Sequence, residues 1–161
     1  RAMWYAIGAH PGFNCPMEDG FAFEDYQLVF EKEEEAVSIP YDLDQLHFSP
    51  SRQGIRLKGC TLSLNREMFK NDAVFFDKLN SRMVSILNPA TGRGVEVGFP
   101  GFETVAFWTL YPEPAPYLCV EPWNGSGIYE NEDDQLSHRH HIQHLLPGDS
   151  HSYVMTIRIL G

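Results

Sequence analysis

The first stretch that could do chemistry surrounds His10, whose imidazole gives and takes protons near neutral pH. If this stretch is a strand, alternate side chains share one face. Three residues then share the face of His10: Trp4, Ala6 and Gly8. Two of them are very small, so the sequence predicts open space beside the imidazole, bounded at its far end by the indole of Trp4. The alternative is a histidine buried in the core, with Gly8 marking only a bulge.

The second stretch is an apolar strand that ends in a carboxylate, Glu121. Two residues share its face, Tyr117 and Cys119, whereas Leu118 and Val120 point the other way. A carboxylate in such surroundings loses hydration. Its pKa then rises toward the range where it works as a base, unless a hydrogen-bond donor compensates. The alternative is a glutamate that emerges into solvent at the strand end.

The elements that must position these side chains are strands. Segments rich in β-branched and aromatic residues recur along the chain and predict nine of them: Met3–Ala9, Tyr26–Phe30, Gly59–Leu64, Asp72–Phe76, Met83–Leu87, Gly94–Phe99, Thr104–Thr109, Tyr117–Val120 and Ser152–Leu160. Turn signals such as Asn88-Pro89 separate them closely enough to join antiparallel neighbours. Arg66–Lys70 and Asp42–Phe48 are each expected to hold one helical turn. We therefore expect an all-β, antiparallel β-sandwich that forms a single domain of residues 1–161.

Charge and composition restrict the partners. Twelve basic and twenty-two acidic residues give a formal net charge of -10, which should repel phosphate backbones and anionic lipid. We therefore expect neither a nucleic-acid nor a membrane partner. No segment approaches the roughly 20 apolar residues of a membrane helix. The chain has three widely spaced cysteines, which is typical of reduced thiols in a cytoplasm. The acidic runs Glu31–Glu35 and Glu130–Asp134 are interpreted as solvated hairpin tips.

Together the two stretches resemble the aldose 1-epimerase (galactose mutarotase) family, in the branch that carries Gly-x-His-Pro-x-Phe and Cys-x-Glu-Pro-Trp motifs. The first motif matches Gly8–Phe13 and the second matches Cys119–Trp123. Three further segments agree: Glu24–Tyr26, Phe69–Ala73 and Leu145–Asp149. The likeness covers essentially the whole chain, which is similar to the carboxy-terminal half of family members.

The resemblance implies an antiparallel β-supersandwich with a sugar cleft on one sheet. It also implies cofactor-free interconversion of the α and β anomers of a free aldohexose. On that template His10 is the general acid that protonates the ring oxygen, and Glu121 is the general base that takes the anomeric proton. Asp72 matches a position that hydrogen-bonds a sugar hydroxyl, although a plain turn aspartate is the alternative. Trp123 and Trp108 are candidates for an apolar wall against the sugar face, with a core role as the alternative.

The segment Ser137–His144 contains four histidines and invites a metal-site interpretation: His138, His140, His141 and His144. In the resembling family this region is a variable loop without a ligand role. We therefore expect no metal and no cofactor.

Family members are nearly twice as long, and their first half supplies an arginine and a second histidine to the sugar. This chain is therefore expected to form only part of the full sandwich, with strand edges covered by a missing amino-terminal half or by a second copy. Activity of the chain alone stays open. So do two other functions, a non-catalytic carbohydrate-binding β-sandwich and a hexose-6-phosphate 1-epimerase, which would need basic residues around its pocket.

Overall fold

The computed structural model describes residues 1–161, and its regular structure is almost entirely β. Fourteen strands follow one another along the chain: β1 Met3–Tyr5, β2 Ile7–Gly8, β3 Gly12–Asn14, β4 Gln27–Val37, β5 Tyr41–Asp42, β6 His47–Phe48, β7 Arg56–Ser63, β8 Val74–Phe76, β9 Met83–Leu87, β10 Gly94–Gly98, β11 Thr104–Trp108, β12 Tyr117–Asn124, β13 Gln143–Leu145 and β14 Thr156–Leu160. Three short 3-10 helices interrupt them: Phe23–Asp25, Arg66–Phe69 and Leu136–His138. No helix has the length and apolar character needed to cross a bilayer.

Ten of the strands form two five-stranded sheets. In the first sheet the strand order is β14-β10-β9-β4-β7. In the second the order is β2-β12-β11-β8, and β3 also pairs with β12. The other four strands form two-stranded ribbons, β1 with β13 and β5 with β6. All of these strand pairs are antiparallel, so the expected antiparallel β-sandwich is confirmed.

The two large sheets enclose the main hydrophobic core. Phe30 of β4 makes edge-on contacts with Phe76 of β8 and Phe107 of β11, with ring centroids 6.4 and 6.0 Å apart. Leu118 and Val120 of β12 are fully buried in the same core. Because side chains alternate along a strand, the residues between and after them face the outer side of the second sheet. The predicted division of β12 into two faces is therefore confirmed.

Two strand predictions differ from the structure in ways that affect the site. The predicted strand Met3–Ala9 is broken at Ala6, since β1 pairs with β13 whereas β2 pairs with β12. The predicted strand Tyr117–Val120 instead continues to Asn124, so Glu121 lies inside a strand and not at its end. Local propensity could not indicate either result, because the neighbouring strands that extend or break these segments are distant in sequence.

The acidic run Glu31–Glu35 is not a hairpin tip, and that prediction was wrong. The run lies within β4, whose ladder with β7 continues past a register shift between Val29 and Glu34. Glu34 is only 3% exposed and accepts backbone hydrogen bonds from Asn80 at 2.9 Å and Ser81 at 2.7 Å. The carboxylate therefore holds the loop before β9 against the first sheet.

Of the two predicted helical turns, one is confirmed and one is wrong. Arg66–Phe69 is a 3-10 helix, with the Asn65 side chain accepting from the backbone of Met68. Asp42–Phe48 instead forms the β5–β6 hairpin. The buried Asp42 carboxylate turns the chain by accepting from two backbone amides, those of Asp44 and Gln45.

Candidate active site

Glu121 lies in the middle of the second sheet, on its outer face. Strand β11 places Ala106 directly opposite it, so no large side chain competes for the space above the carboxylate. Glu121 is 3% exposed, and its Oε1 atom has no hydrogen-bond partner. Burial, followed by the negative charge of Asp72, raises the pKa of Glu121 to about 7. Buried polar atoms are nearly always partnered in native proteins, so this oxygen is available to a ligand or a water molecule.

His10 is held beside this carboxylate by two strands that both pair with β12. The backbone N–H of Ala9 donates to the carbonyl of Pro122, and that of Val120 donates to Pro11, each at 3.1 Å. These two bonds fix the backbone on either side of His10. Its Nε2 lies 3.2 Å from Oε1 of Glu121, without the alignment of a hydrogen bond. The His10 side chain is 61% exposed, so the imidazole is free to rotate toward a ligand.

Asp72 and Trp108 extend the same face. The indole N–H of Trp108 donates to Oδ1 of Asp72 at 2.8 Å, and the Trp108 ring meets the ring of His10 edge-on with centroids 6.0 Å apart. Asp72 has a left-handed backbone with φ of 72°. Non-glycine residues adopt this conformation rarely, and aspartate more readily than most. The hydrogen bond from Trp108 thus holds the carboxylate of Asp72 in place, and the backbone of the same residue adopts an unusual conformation.

A shallow cavity of about 400 Å³ opens beside His10. This volume lies within the roughly 300–1,000 Å³ typical of small-molecule sites. Ala6, Gly8 and Trp123 line it, so the small neighbours of His10 do leave open space. The sequence predicted that the indole of Trp4 bounds this space, and that prediction was wrong, because the bounding indole is that of Trp123. Trp4 packs instead on the ring of His144. The reason is the break at Ala6, which directs Trp4 to the small ribbon.

The cavity lining also includes Gly125, Ser126 and Gly127, to which the sequence analysis gave no role. In the sequence, the run of small residues shortly after the Glu-Pro-Trp motif could have indicated these three lining residues. A second cavity of about 410 Å³ lies elsewhere, lined by residues such as Gln53, Leu62 and Met68. None of the five predicted site residues lines it, so this cavity is not the candidate site.

The structure therefore brings all five predicted site residues to one face of the second sheet. They are His10, Glu121, Asp72, Trp108 and Trp123. Trp123 follows Glu121 by two positions on β12 and lies against Phe75, with ring centroids 5.7 Å apart. Their individual roles stay predictions.

The four histidines of the segment Ser137–His144 do not converge on one point. Each ring has its own neighbour: His138 contacts Asp133, His140 stacks on Tyr129, His141 contacts Glu103 and Asp77, and His144 lies on Trp4. The nearby carboxylates of Asp77 and Glu103 raise the pKa of His141. These contacts fasten the segment to the rest of the fold.

Three other potential metal ligands do lie close together. One ligand atom each from His10, Cys119 and Glu121 lies within 4.8 Å of the other two. Cys119 is buried between Trp108 and Gly12, its neighbours on the adjacent strands. Burial and the Glu121 charge raise the pKa of the Cys119 thiol to about 11. The sequence interpretation placed Cys119 on this face but gave it no role.

Solved structures share this architecture. A galactose mutarotase related enzyme from Lactobacillus acidophilus matches with a TM-score of 0.83 at 25% identity, over 98% of this chain and 52% of that one. A galactose mutarotase-like protein from Lactobacillus casei matches with a TM-score of 0.72 at 17% identity, over 99% of this chain and 54% of that one. The fold is thus a galactose mutarotase-like β-sandwich, as expected.

Curated relatives are similar over the same extent. Protein LacX of Lactococcus lactis subsp. lactis, in its plasmid and chromosomal forms, is 33% identical over 167 residues. The match covers 100% of this chain and 54% of either relative, so the chain spans about half the length of the curated relatives it matches. No family model matches the chain.

Proposed function

We propose that the protein is an aldose 1-epimerase that interconverts the α and β anomers of a free aldohexose. The observation that carries the proposal is the pairing of His10 with Glu121. An exposed imidazole and a buried carboxylate oxygen without a partner lie 3.2 Å apart beside an open cavity. The 25%-identical structure described as a galactose mutarotase related enzyme supports the same conclusion.

The chemistry needs a base and an acid at two oxygens of one carbon. Glu121 removes the proton of the anomeric hydroxyl while protonated His10 delivers a proton to the ring oxygen, so the ring carbon–oxygen bond breaks and an aldehyde forms. Rotation about the adjacent carbon–carbon bond presents the other face of the aldehyde. Reclosure then returns both protons and leaves the opposite anomer. Because His10 stands directly beside Glu121, sugar entry turns the exposed imidazole aside.

The surrounding residues suit a neutral sugar. Asp72 offers a carboxylate to a sugar hydroxyl, and Trp108 and Trp123 offer flat aromatic faces to its C–H groups. The cavity lining contains no lysine or arginine. A hexose 6-phosphate would therefore find no cation there, and a free aldohexose is the substrate we favour.

The test is polarimetry on freshly dissolved glucose and galactose with the purified protein. Glu121→Gln and His10→Asn should each slow anomerisation by roughly 10²–10⁴-fold, the usual worth of a positioned acid or base. Glu33→Gln is the matched control, since Glu33 is an exposed glutamate on the first sheet and the same charge is lost. Full activity in both site variants would exclude the proposed roles. Sugar binding by calorimetry without any effect on the rate would instead favour a carbohydrate-binding protein.

A further inference from the structure

We propose that His10, Cys119 and Glu121 form a binding site for Zn²⁺ on the outer face of the second sheet. The proposal departs from the expectation of no metal site, and it goes beyond the proposed epimerase. It rests on the placement of three ligand atoms, so it stands whether or not the protein turns over a sugar.

The backbone presents the three groups together. Cys119 and Glu121 are two positions apart on β12, so both point to the same side of the sheet. His10 reaches them from the segment between β2 and β3, which backbone hydrogen bonds fix to β12 on both sides of His10. Gly12 lies opposite Cys119, and a Cβ there would lie in van der Waals contact with Sγ, at 3.4 Å. The missing side chain leaves the sulfur room for a ligand.

The distances between the three ligand atoms suit a tetrahedrally coordinated ion after a small adjustment of the side chains. Zinc bonds of about 2.0–2.3 Å place neighbouring ligand atoms roughly 3.3–3.8 Å apart. The His10 and Glu121 atoms are already 3.2 Å apart, and all three ligand atoms lie within 4.8 Å of one another. The exposed His10 ring can rotate about its side-chain bonds to meet an ion bound by the other two ligand atoms. The unpartnered Oε1 of Glu121 would gain the partner that it lacks.

The chemistry of the donors identifies the class of cation. A thiolate, an imidazole nitrogen and one carboxylate oxygen are ligands typical of zinc, whereas magnesium and calcium take oxygen. Binding displaces the thiol proton of Cys119 to the buffer and forms the metal–sulfur bond. Three protein ligands leave the fourth position on the solvent side, for a water molecule. A bound ion would occupy the Glu121 oxygen that the proposed sugar needs, so zinc is expected to inhibit anomerisation.

Cobalt(II) is the direct probe, because it takes zinc sites and its bond to a thiolate gives a near-ultraviolet charge-transfer band. Titration should give one Co²⁺ per chain with that band, and Zn²⁺ should abolish the band by displacement. Cys119→Ser should remove the band. His10→Ala should weaken affinity by about tenfold or more, at least the loss that follows removal of a metal's outer-shell partner. His10 is exposed, so this second variant leaves the core intact even if Cys119→Ser fails to fold.

Two matched controls keep the band. Cys60→Ser removes a thiol on the first sheet, and His144→Gln removes an imidazole of the His-rich segment. Absence of a charge-transfer band, or a band that survives in Cys119→Ser, would overturn the proposal. Cobalt binding, together with no anomerisation by the metal-free protein in the presence of a chelator, would support the metal site and reject the epimerase. Anomerisation that depends on Glu121, without cobalt binding, would do the reverse.

Discussion

At the scale of single residues, Glu121 combines two properties that rarely coexist. Its side chain is buried beside Asp72, which disfavours the charged form, yet Oε1 has no donor that would compensate. The result is a carboxyl group whose pKa, about 7, lies where a general base works best. In the proposed reaction the nearby Asp72 would therefore act through its charge on Glu121 as well as through any contact with the sugar.

Removal of that charge gives a pH prediction. In the proposed reaction the base is the deprotonated form of Glu121, so with a chelator present the acid limb of the activity profile should rise through a pH of about 7. Asp72→Asn should move this rise to lower pH, because the like charge that raises the pKa of Glu121 is lost. Asn also tolerates the left-handed backbone of Asp72. The measurement is the pH profile of kcat and kcat/KM for anomerisation.

Asp134→Asn is the matched control for this variant. Asp134 is exposed, and its φ of 62° gives it the same unusual backbone, but it lies in a loop that does not belong to the site. Its profile should follow that of the unchanged protein. A profile of Asp72→Asn that coincides with the control would show that Asp72 does not influence the base.

At the scale of elements, the contact between β2 and β12 determines the shape of the cavity. Gly8 lies opposite Trp123, and a Cβ at Gly8 would lie 2.5 Å from the indole Cδ1 atom. Gly8→Ala should therefore push the indole out of place and lower stability by about 1–3 kcal/mol, as overpacking usually does. Sugar binding should weaken in parallel.

Urea unfolding and calorimetric titration with sugar check this prediction. Gly12→Ala on β3 is the control, because its Cβ would lie at 3.4 Å from the nearest atom, the Sγ of Cys119. Its stability should fall by less than that of Gly8→Ala. Equal losses would mean that the contact with Trp123 is not what requires glycine at position 8.

The irregular strand β4 depends on one buried carboxylate. Glu34 accepts three hydrogen bonds from Asn80 and Ser81, so Glu34→Ala leaves the buried backbone N–H of Ser81 and two part-buried donors of Asn80 without partners. We expect a loss of about 3 kcal/mol in the free energy of unfolding. Glu33→Ala, on the exposed side of the same strand, should change stability by no more than about 0.5 kcal/mol. Denaturant unfolding of the two variants compares them directly, and similar values would refute the structural role of Glu34.

At the scale of the whole molecule, the first sheet ends in the edge strand β14, which carries exposed apolar side chains. Ile157 and Ile159 of β14 lie opposite Val97 and Val95, whose side chains belong to the buried core. The two isoleucines face the same side, yet they are 50% and 78% exposed. An apolar edge strand of this kind is a template for further pairing. The expectation that another chain segment or a second copy covers such edges stays a prediction.

Self-association of the chain tests that expectation. We expect the apparent mass in sedimentation equilibrium to rise with concentration, and Ile159→Lys to shift the equilibrium toward monomer, because a charge on the edge opposes pairing. Leu136→Lys is the control, since Leu136 is an exposed apolar residue in a short helix away from this edge. A strictly monomeric chain at high concentration would contradict cover by a second copy and leave cover by another chain segment as the remaining expectation.

Properties that depend on neighbours along the chain were predictable from the sequence. The period-two pattern of β12 placed Leu118 and Val120 inside and left Cys119 and Glu121 on the other side, because alternation is a local consequence of extended backbone. The same pattern, repeated with closely spaced turn signals, indicated an antiparallel β-sandwich. His10 and Glu121 could be proposed as a pair because their surrounding motifs resemble those of a known family.

Only the tertiary structure decided which of these local features meet. Strands β2 and β3 pair with β12, more than a hundred positions away, and this pairing brings His10 to Cys119 and Glu121 and makes Trp123 the wall of the cavity in place of Trp4. The burial of Glu34 likewise required the distant amides of Asn80 and Ser81. Register between distant strands is set by the packing of the whole sandwich, which no local pattern encodes.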